Sequence, residues 1–365
     1  MINKLVIVHK SSVSLFPPLL TFIEVLKNNG IEVVLICGHE DDKFKERLNK
    51  LCVKTYFFDI PIAPIGGSKL IKIRSWLEVR FRFWKLIEKE NLLSETFYFA
   101  TADTVLAMGS RVQKLKYILN LYELFDFKPY YLKNLKPYAL SASKIVCPEI
   151  TRANIFKVWW KLDKLPYVVP NRPLVRPSFN ENNIPETALT ALELLKDKKF
   201  IVYQGLITKD RNLTPLCEAI KSVEGYHLVV MGKSTSYLEQ LKKEYPHIIH
   251  VPFILPPYHL MVTSKARMGI LSYDYSSLNN IFCAPNKIWE YASIGLPMLG
   301  NNIPGLYNVI RPFNLGTCVE FDDSQAIARA IAYIDENHDA ISANSYSYFD
   351  SVKTEDCILD IFKDL

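Results

Sequence analysis

The 365-residue sequence contains no Cys-x-x-Cys pair, and its seven cysteines lie far apart, at positions 37, 52, 147, 217, 283, 318 and 357. An odd, scattered set argues against a disulfide framework and against a zinc knuckle, and it fits a reducing compartment. No apolar stretch reaches the roughly 18 residues that a bilayer-spanning helix needs. The opening Met1-Ile-Asn-Lys-Leu-Val-Ile-Val-His-Lys10 meets a lysine before any long apolar run, so it reads as a first strand rather than a signal peptide. Gly-x-Gly-x-x-Gly is missing, which removes the dinucleotide fingerprint of a dehydrogenase. Of the phosphate-loop motif only a tail-like fragment occurs, Met231-Gly-Lys-Ser234, which reads as a strand-end turn. His-Glu-x-x-His and Asp-x-Asp are both absent, and no cysteine or carboxylate flanks the nearest histidine pair, His247 and His250. No metal and no cofactor are therefore expected. Internal repeats and low-complexity tracts are also lacking.

What is present is an ordinary globular balance, with 49% hydrophobic and 22% charged residues, over a length that suits two domains. The net charge of +6 is unevenly spread. Residues 1–173 hold 27 Lys and Arg against 16 Asp and Glu, a net +11; the remainder holds 17 against 22, a net −5. Such asymmetry suggests different partners for the two halves. A basic half suits nucleic acid, an anionic membrane or a phosphorylated acceptor.

Short apolar or β-branched runs at 5–9, 32–37, 55–60, 97–102, 117–121 and 145–148 alternate with longer segments of helical spacing. The runs are too short for helices and too continuous for half-exposed strands, so they read as buried parallel strands. Residues 166–173 contain three prolines and read as a linker. The alternation then restarts, with strand-like runs at 200–203, 228–231, 248–251, 268–271 and 297–299. The expected fold class is α/β, with two Rossmann-like doubly wound domains at 1–173 and 174–350. A final helical segment, 351–365, follows; the sequence does not say which domain it joins.

The most specific stretch is Ala284-Pro-Asn-Lys-Ile-Trp-Glu-Tyr-Ala-Ser-Ile-Gly-Leu-Pro-Met-Leu299. Pro285 suits the first turn of a helix and Gly295 stops it. Asn286, Lys287 and Glu290 share one face near the helix start. That face can take a phosphate and a ribose diol, or Lys287 and Glu290 can form a solvated surface pair. Together with Asn302-Ile-Pro-Gly-Leu-Tyr-Asn-Val-Ile310, this segment resembles the donor-site signature of GT-B glycosyltransferases of the family-4-like retaining group. Tyr203-Gln-Gly-Leu-Ile-Thr-Lys-Asp-Arg-Asn-Leu213 and, more loosely, Tyr117-Ile-Leu-Asn-Leu-Tyr-Glu-Leu-Phe-Asp126 extend the resemblance.

The resemblance implies two domains facing across a cleft and a nucleotide-diphospho-sugar donor held by the second. Gly205, Arg211, Phe253, Asn286, Lys287 and Glu290 are the implied donor-binding residues, with Glu290 on the ribose hydroxyls. Tyr122, Glu123 and Asp126 are the implied catalytic residues on the acceptor side. It also implies retention of anomeric configuration, no metal, and a saccharide or lipid-linked acceptor in surface polysaccharide synthesis. Three positions depart from the family pattern. Phe282 replaces a glutamate, Leu206 replaces an arginine, and Tyr122-Glu123 stands where a histidine and an acid are usual.

Residues 72–89 form a basic, aromatic-rich helical segment in which Ile73, Trp76, Leu77, Arg80, Phe83, Trp84 and Ile87 align on one face. It reads either as a core-packing helix with a basic back or as a surface for anionic lipid. The expected setting is cytoplasmic and peripheral to the inner face of the cell membrane, with no nucleic-acid partner, since no recognition module is visible. A sugar-nucleotide 2-epimerase and a non-catalytic nucleotide-sugar-binding protein are the competing readings.

Overall fold

The computed structural model describes residues 2–60 and 69–363. It divides into two compact units, Met1–Leu174 with Lys353–Leu365, and Val175–Val352.

The N-terminal unit is built on β1 (Lys4–His9), β2 (Glu32–Gly38), β3 (Lys54–Phe58), β4 (Thr96–Phe99), β5 (Lys116–Asn120), β6 (Lys144–Cys147) and β7 (Tyr167–Val168). They form one parallel sheet in the order β3-β2-β1-β4-β5-β6-β7. The inner strands are buried on both faces, because helices cover the sheet from each side; this is why they read as continuous apolar runs. The order reverses beside β1, so β1 and β4 form the switch point of the sheet.

The C-terminal unit repeats the plan with β8 (Lys199–Gln204), β9 (Tyr226–Met231), β10 (Ile249–Val251), β11 (Met268–Leu271), β12 (Met298–Asn301) and β13 (Gly316–Val319). Its order is β10-β9-β8-β11-β12-β13, all parallel, with the switch between β8 and β11. Two apolar clusters, one on each face of the sheet, form its core.

Two strands have no counterpart in the sequence reading. β7 is two residues long and lies inside the proline-rich stretch expected to be only a linker. β13, Gly-Thr-Cys-Val, has no apolar run to betray it. The run at 97–102 ends early because Thr101 leaves the strand, and its side chain accepts the Thr104 N–H, capping the helix Ala102–Met108. Pro285 stands at the N-cap and the helix begins at Asn286, one residue later than expected.

The helix Lys69–Lys89 corrects a second expectation. Val79, Phe83, Trp84 and Ile87 are buried against the N-terminal unit, and Trp84 donates from Nε1 to the Met108 carbonyl at 3.0 Å. Ile73 and Leu77 do not share that face. They point to solvent, in a line with Leu70 and Phe81. The helix is apolar on two sides, so a single-face reading of its spacing merged them. Arg80, exposed overall, donates from Nε to the Ala107 carbonyl at 3.0 Å, satisfying the end of a neighbouring helix.

The helix Thr354–Asp360 belongs to the N-terminal unit. Ile358, Ile361 and Phe362 join its core, with Phe362 at 6.2 Å from the Phe22 ring, and Asn29 donates to Glu355 at 2.7 Å. Phe362 is fully buried, so Phe362→Ala is expected to cost about 3 kcal/mol or more through lost burial and the cavity left behind. Denaturant unfolding checks this; unchanged stability would show that the segment adds nothing to the core.

Candidate functional site

In the C-terminal unit, Glu290 is placed by the helix Asn286–Ser293, which buries Ile288, Trp289, Tyr291 and Ala292 and leaves Asn286, Lys287 and Glu290 half-buried. Three groups converge on its Oε2: Lys287 Nζ at 2.8 Å, Gln204 Nε2 at 2.8 Å and His259 Nε2 at 3.3 Å. Gln204 ends β8, and its amide is oriented by Thr263, whose hydroxyl donates to Gln204 Oε1 at 2.5 Å. Thr263 and His259 lie on one helix, Tyr258–Thr263. The Glu290 side chain is only 19% exposed. Burial alone would push its carboxyl up, but the Lys287 charge and the His259 hydrogen bond outweigh it and hold the group at about 2. The result is a fixed, ionised acceptor at the carboxyl edge of the sheet. The Lys287–Glu290 pair is therefore not the solvated surface pair that spacing alone allowed.

Arg211 lies in the loop after β8 and reaches across to the loop after β11. Its Nη1 donates to the Ser272 carbonyl at 3.1 Å, and its guanidinium lies 3.9 Å from the centre of the Tyr273 ring. Tyr273 is tied in turn to Asn301 at the end of β12, through its N–H to Oδ1 at 2.7 Å and through its carbonyl to Nδ2. The cation thus stands at the β8/β11 switch on a platform braced by three strand ends.

Gly205, at the end of β8, has φ +140°, a region that favours glycine. Its carbonyl lies where a side chain on Gly232 would fall, 2.4 Å away, so the loops after β8 and β9 pack backbone to backbone. Phe253, after β10, is 49% exposed rather than a core residue, and Lys233 Nζ lies 5.8 Å from its ring centre. Leu206 is 70% exposed. Gly305 allows close packing on the backbone of Phe282 and Cys283, where a Cβ would come within 2.4 Å of the Cys283 nitrogen. Phe282 itself is half-buried.

In the N-terminal unit, the loop after β5 carries Tyr122, Glu123 and Asp126. Arg152, a buried residue of the helix Ile150–Trp160, donates to the Tyr122 carbonyl and lies 3.7 Å from Glu123. Burial pushes the Tyr122 hydroxyl well above its ordinary value. The next helix, Pro129–Ser141, has Lys128 at its N-cap, and the side chain of that residue makes no cap bond. Sequence reasoning missed His259, Gln204, Thr263 and Arg152. Only their fold neighbours show their use: Gln204 and Glu290, for instance, are 86 positions apart.

Residues 198–337 match the family model described as Glycosyl transferases group 1. Among solved structures, the Anabaena protein HepE in complex with UDP-glucose superposes with a TM-score of 0.71 at 14% identity, covering 99% of this chain and 100% of that one. The chain has the GT-B fold. Sucrose-phosphate synthase from Thermosynechococcus elongatus gives a TM-score of 0.73 at 14% identity, over 99% of this chain and 98% of that chain. A putative UDP-N-acetylglucosamine 2-epimerase from Listeria monocytogenes gives 0.65 at 13%, over 100% and 98%. No curated protein matches by sequence. In GT-B terms, Gln204, Arg211, His259, Lys287 and Glu290 all lie within the segment that matches the family.

Because Glu290 sits below its ordinary value of 4.5, its ionised form stabilises the fold above that value, and the contribution is lost as pH falls from 4.5 toward about 2. Glu290→Gln cannot ionise and is expected to lose less stability than the wild type between neutral pH and about pH 3. Unfolding curves at the two pH values check this; equal acid losses would show that the carboxylate is not held by its neighbours.

Proposed function

We propose that the protein is a glycosyltransferase that moves a sugar from a nucleotide-diphospho-sugar to a saccharide or lipid-linked saccharide. The Glu290 cluster carries this reading: an ionised carboxylate with its Oε2 fully engaged and a lysine one helical turn before it, inside the segment that matches group 1 glycosyl transferases. HepE, of the same fold, was crystallised with UDP-glucose and with UDP. In this reading the C-terminal unit holds the donor. Glu290 accepts from the ribose hydroxyls and Phe253 forms a wall for the base. Gly205 lets backbone approach the diphosphate, and Arg211, Lys287 and the helix start at Asn286 meet its charge. An ammonium has three donors, so Lys287 can serve the diphosphate while paired to Glu290.

The N-terminal unit takes the acceptor, with Tyr122, Glu123 and Asp126 beside its reacting hydroxyl. The anomeric carbon loses its bond to the diphosphate oxygen and gains one to the acceptor oxygen, on the same face. The acceptor proton passes to the departing phosphate, so no strong protein base is required. The task of the site is to stabilise charge developing on the diphosphate, and fixed cations do this without a metal ion. A 2-epimerase is the second reading, supported by the Listeria structure of the same fold. Consumption of donor with no acceptor present would favour it.

We also place the protein peripherally on the inner face of the cell membrane, in surface polysaccharide synthesis. No helix among the described residues is long and apolar enough to cross a membrane. The support is the solvent face of the helix Lys69–Lys89. Leu70, Ile73, Leu77 and Phe81 are 55–76% exposed, and Arg74 and Arg82 flank them with only Glu78 between. An apolar stripe edged by arginines, on a half of the chain with net charge +11, complements an anionic bilayer.

Two measurements test these readings. Arg211→Ala and Lys287→Ala should each weaken a nucleoside diphosphate about tenfold more than the bare nucleoside in calorimetry. Equal weakening of both ligands would remove these residues from the diphosphate. Leu77→Ser with Phe81→Ser should abolish cosedimentation with phosphatidylglycerol-containing vesicles and leave stability intact. Binding unchanged by the pair, or equal on neutral phosphatidylcholine vesicles, would refute the membrane face.

A further inference from the structure

The N-terminal unit holds a second basic cluster that the donor site does not use. Lys10 follows β1, Asp103 follows β4, and the two strands form the switch point of the sheet, where open α/β sheets bind ligands. Lys10 Nζ pairs with Asp103 Oδ2 at 2.5 Å, and Lys72 Nζ lies 3.9 Å from Oδ1 of the same carboxylate. Tyr131 donates its hydroxyl to Asp103 and receives Lys72 Nζ at 2.6 Å. The Tyr131 ring centre lies 4.8 Å from Lys72 Nζ and 5.6 Å from Lys128 Nζ.

Two ammonium groups therefore flank one carboxylate, and a third, Lys128, stands over the ring of the tyrosine that bonds to it. Among the described residues, Asp103 is the sole ion-pair partner of Lys10 and Lys72, and Lys128 has none. The arrangement is electrostatically costly. Burial, and then Lys72, lower the Lys10 ammonium to about 8; burial, and then Lys128, lower Lys72. Beside them the Trp76 Nε1 is buried without a hydrogen-bond partner, with Lys72 Nζ 5.2 Å from the ring. A structural ion pair explains Lys10 and Asp103. It does not explain two further cations turned onto one aromatic ring with an unused N–H donor alongside.

We propose that Lys10, Lys72 and Lys128, with Trp76 Nε1, form a binding site for a phosphate or diphosphate ester at the carboxyl edge of the N-terminal sheet. A diphosphate supplies the negative charge that Asp103 alone does not. Lys72 shares its helix with the solvent-facing Leu70 and Ile73, so an ester carried on a lipid can place its chain along that stripe and its phosphates among the lysines. The anion site stands by itself; naming its occupant as the acceptor rests on the transferase reading above.

The test is calorimetry on the full chain with inorganic pyrophosphate, in saturating UDP so that the C-terminal unit is filled. Wild-type protein should bind one pyrophosphate, and Lys72→Gln and Lys128→Gln should each weaken it about tenfold while UDP affinity holds. Lys10→Gln removes the nearer of the two ammonium partners of Asp103, with Lys72 and the Tyr131 hydroxyl remaining, and should weaken pyrophosphate to a similar degree, thermal unfolding showing that the variant is folded. No pyrophosphate binding beyond UDP, or binding indifferent to these variants, would overturn the proposal. Failure of UDP to bind, with pyrophosphate still lost in Lys72→Gln, would remove the transferase reading and leave the anion site. Phosphatidylcholine vesicles carrying a polyprenyl diphosphate provide the second arm. Capture exceeding that of plain vesicles and lost in Lys128→Gln assigns the ester to a lipid. Pyrophosphate binding without vesicle capture assigns it to a free ester.

Discussion

A parallel sheet sends every strand the same way, so every loop that follows a strand emerges at one edge, and a reversal in strand order opens a gap in the layer of connections above it. Both units of this protein obey that constraint, with the gap beside β1 in one and beside β8 in the other. The chemistry described above gathers at these places. In the C-terminal unit, Gln204 and Arg211 follow β8, and Arg211 is braced on the loop after β11. In the N-terminal unit, Lys10 follows β1 and meets Asp103 after β4. Residues remote in sequence become neighbours because the topology leaves them no other edge.

The two sites solve opposite electrostatic problems. At Glu290 a half-buried carboxylate is overcompensated: one cation, one imidazole and one amide hold it ionised. Around Asp103 the carboxylate is outnumbered, and the surplus positive charge is kept in place by covalent attachment to three different elements. The first cluster is satisfied as it stands and presents an acceptor. The second remains short of negative charge.

Much of this was legible in the sequence. The alternation of short apolar runs with helical segments identified two doubly wound sheets, because strands buried on both faces have no polar positions to interrupt them. Asn286, Lys287 and Glu290 could be placed on one face because their contacts are local and follow helical spacing. His259 and Gln204 could not be tied to Glu290, since their contacts depend on strand order rather than on spacing. The helix Lys69–Lys89 misled for a different reason. Periodicity reports that a helix has an apolar face, and this one has two, so spacing alone merges Ile73 and Leu77 with the side that holds Phe83 and Trp84. β7 was hidden by the prolines around it.

The placement of Ile358, Ile361 and Phe362 has a consequence for synthesis. These side chains, with Leu359 packed beside them, complete a core whose other members are all encoded before residue 175. As the chain leaves the ribosome, the N-terminal sheet emerges first but lacks its closing pieces until the whole of the C-terminal unit has been made. The C-terminal unit is continuous in sequence and depends on no later segment for its own core. The inserted unit can therefore finish folding while the surrounding one waits with apolar surface uncovered, which reverses the usual order in which domains mature during translation.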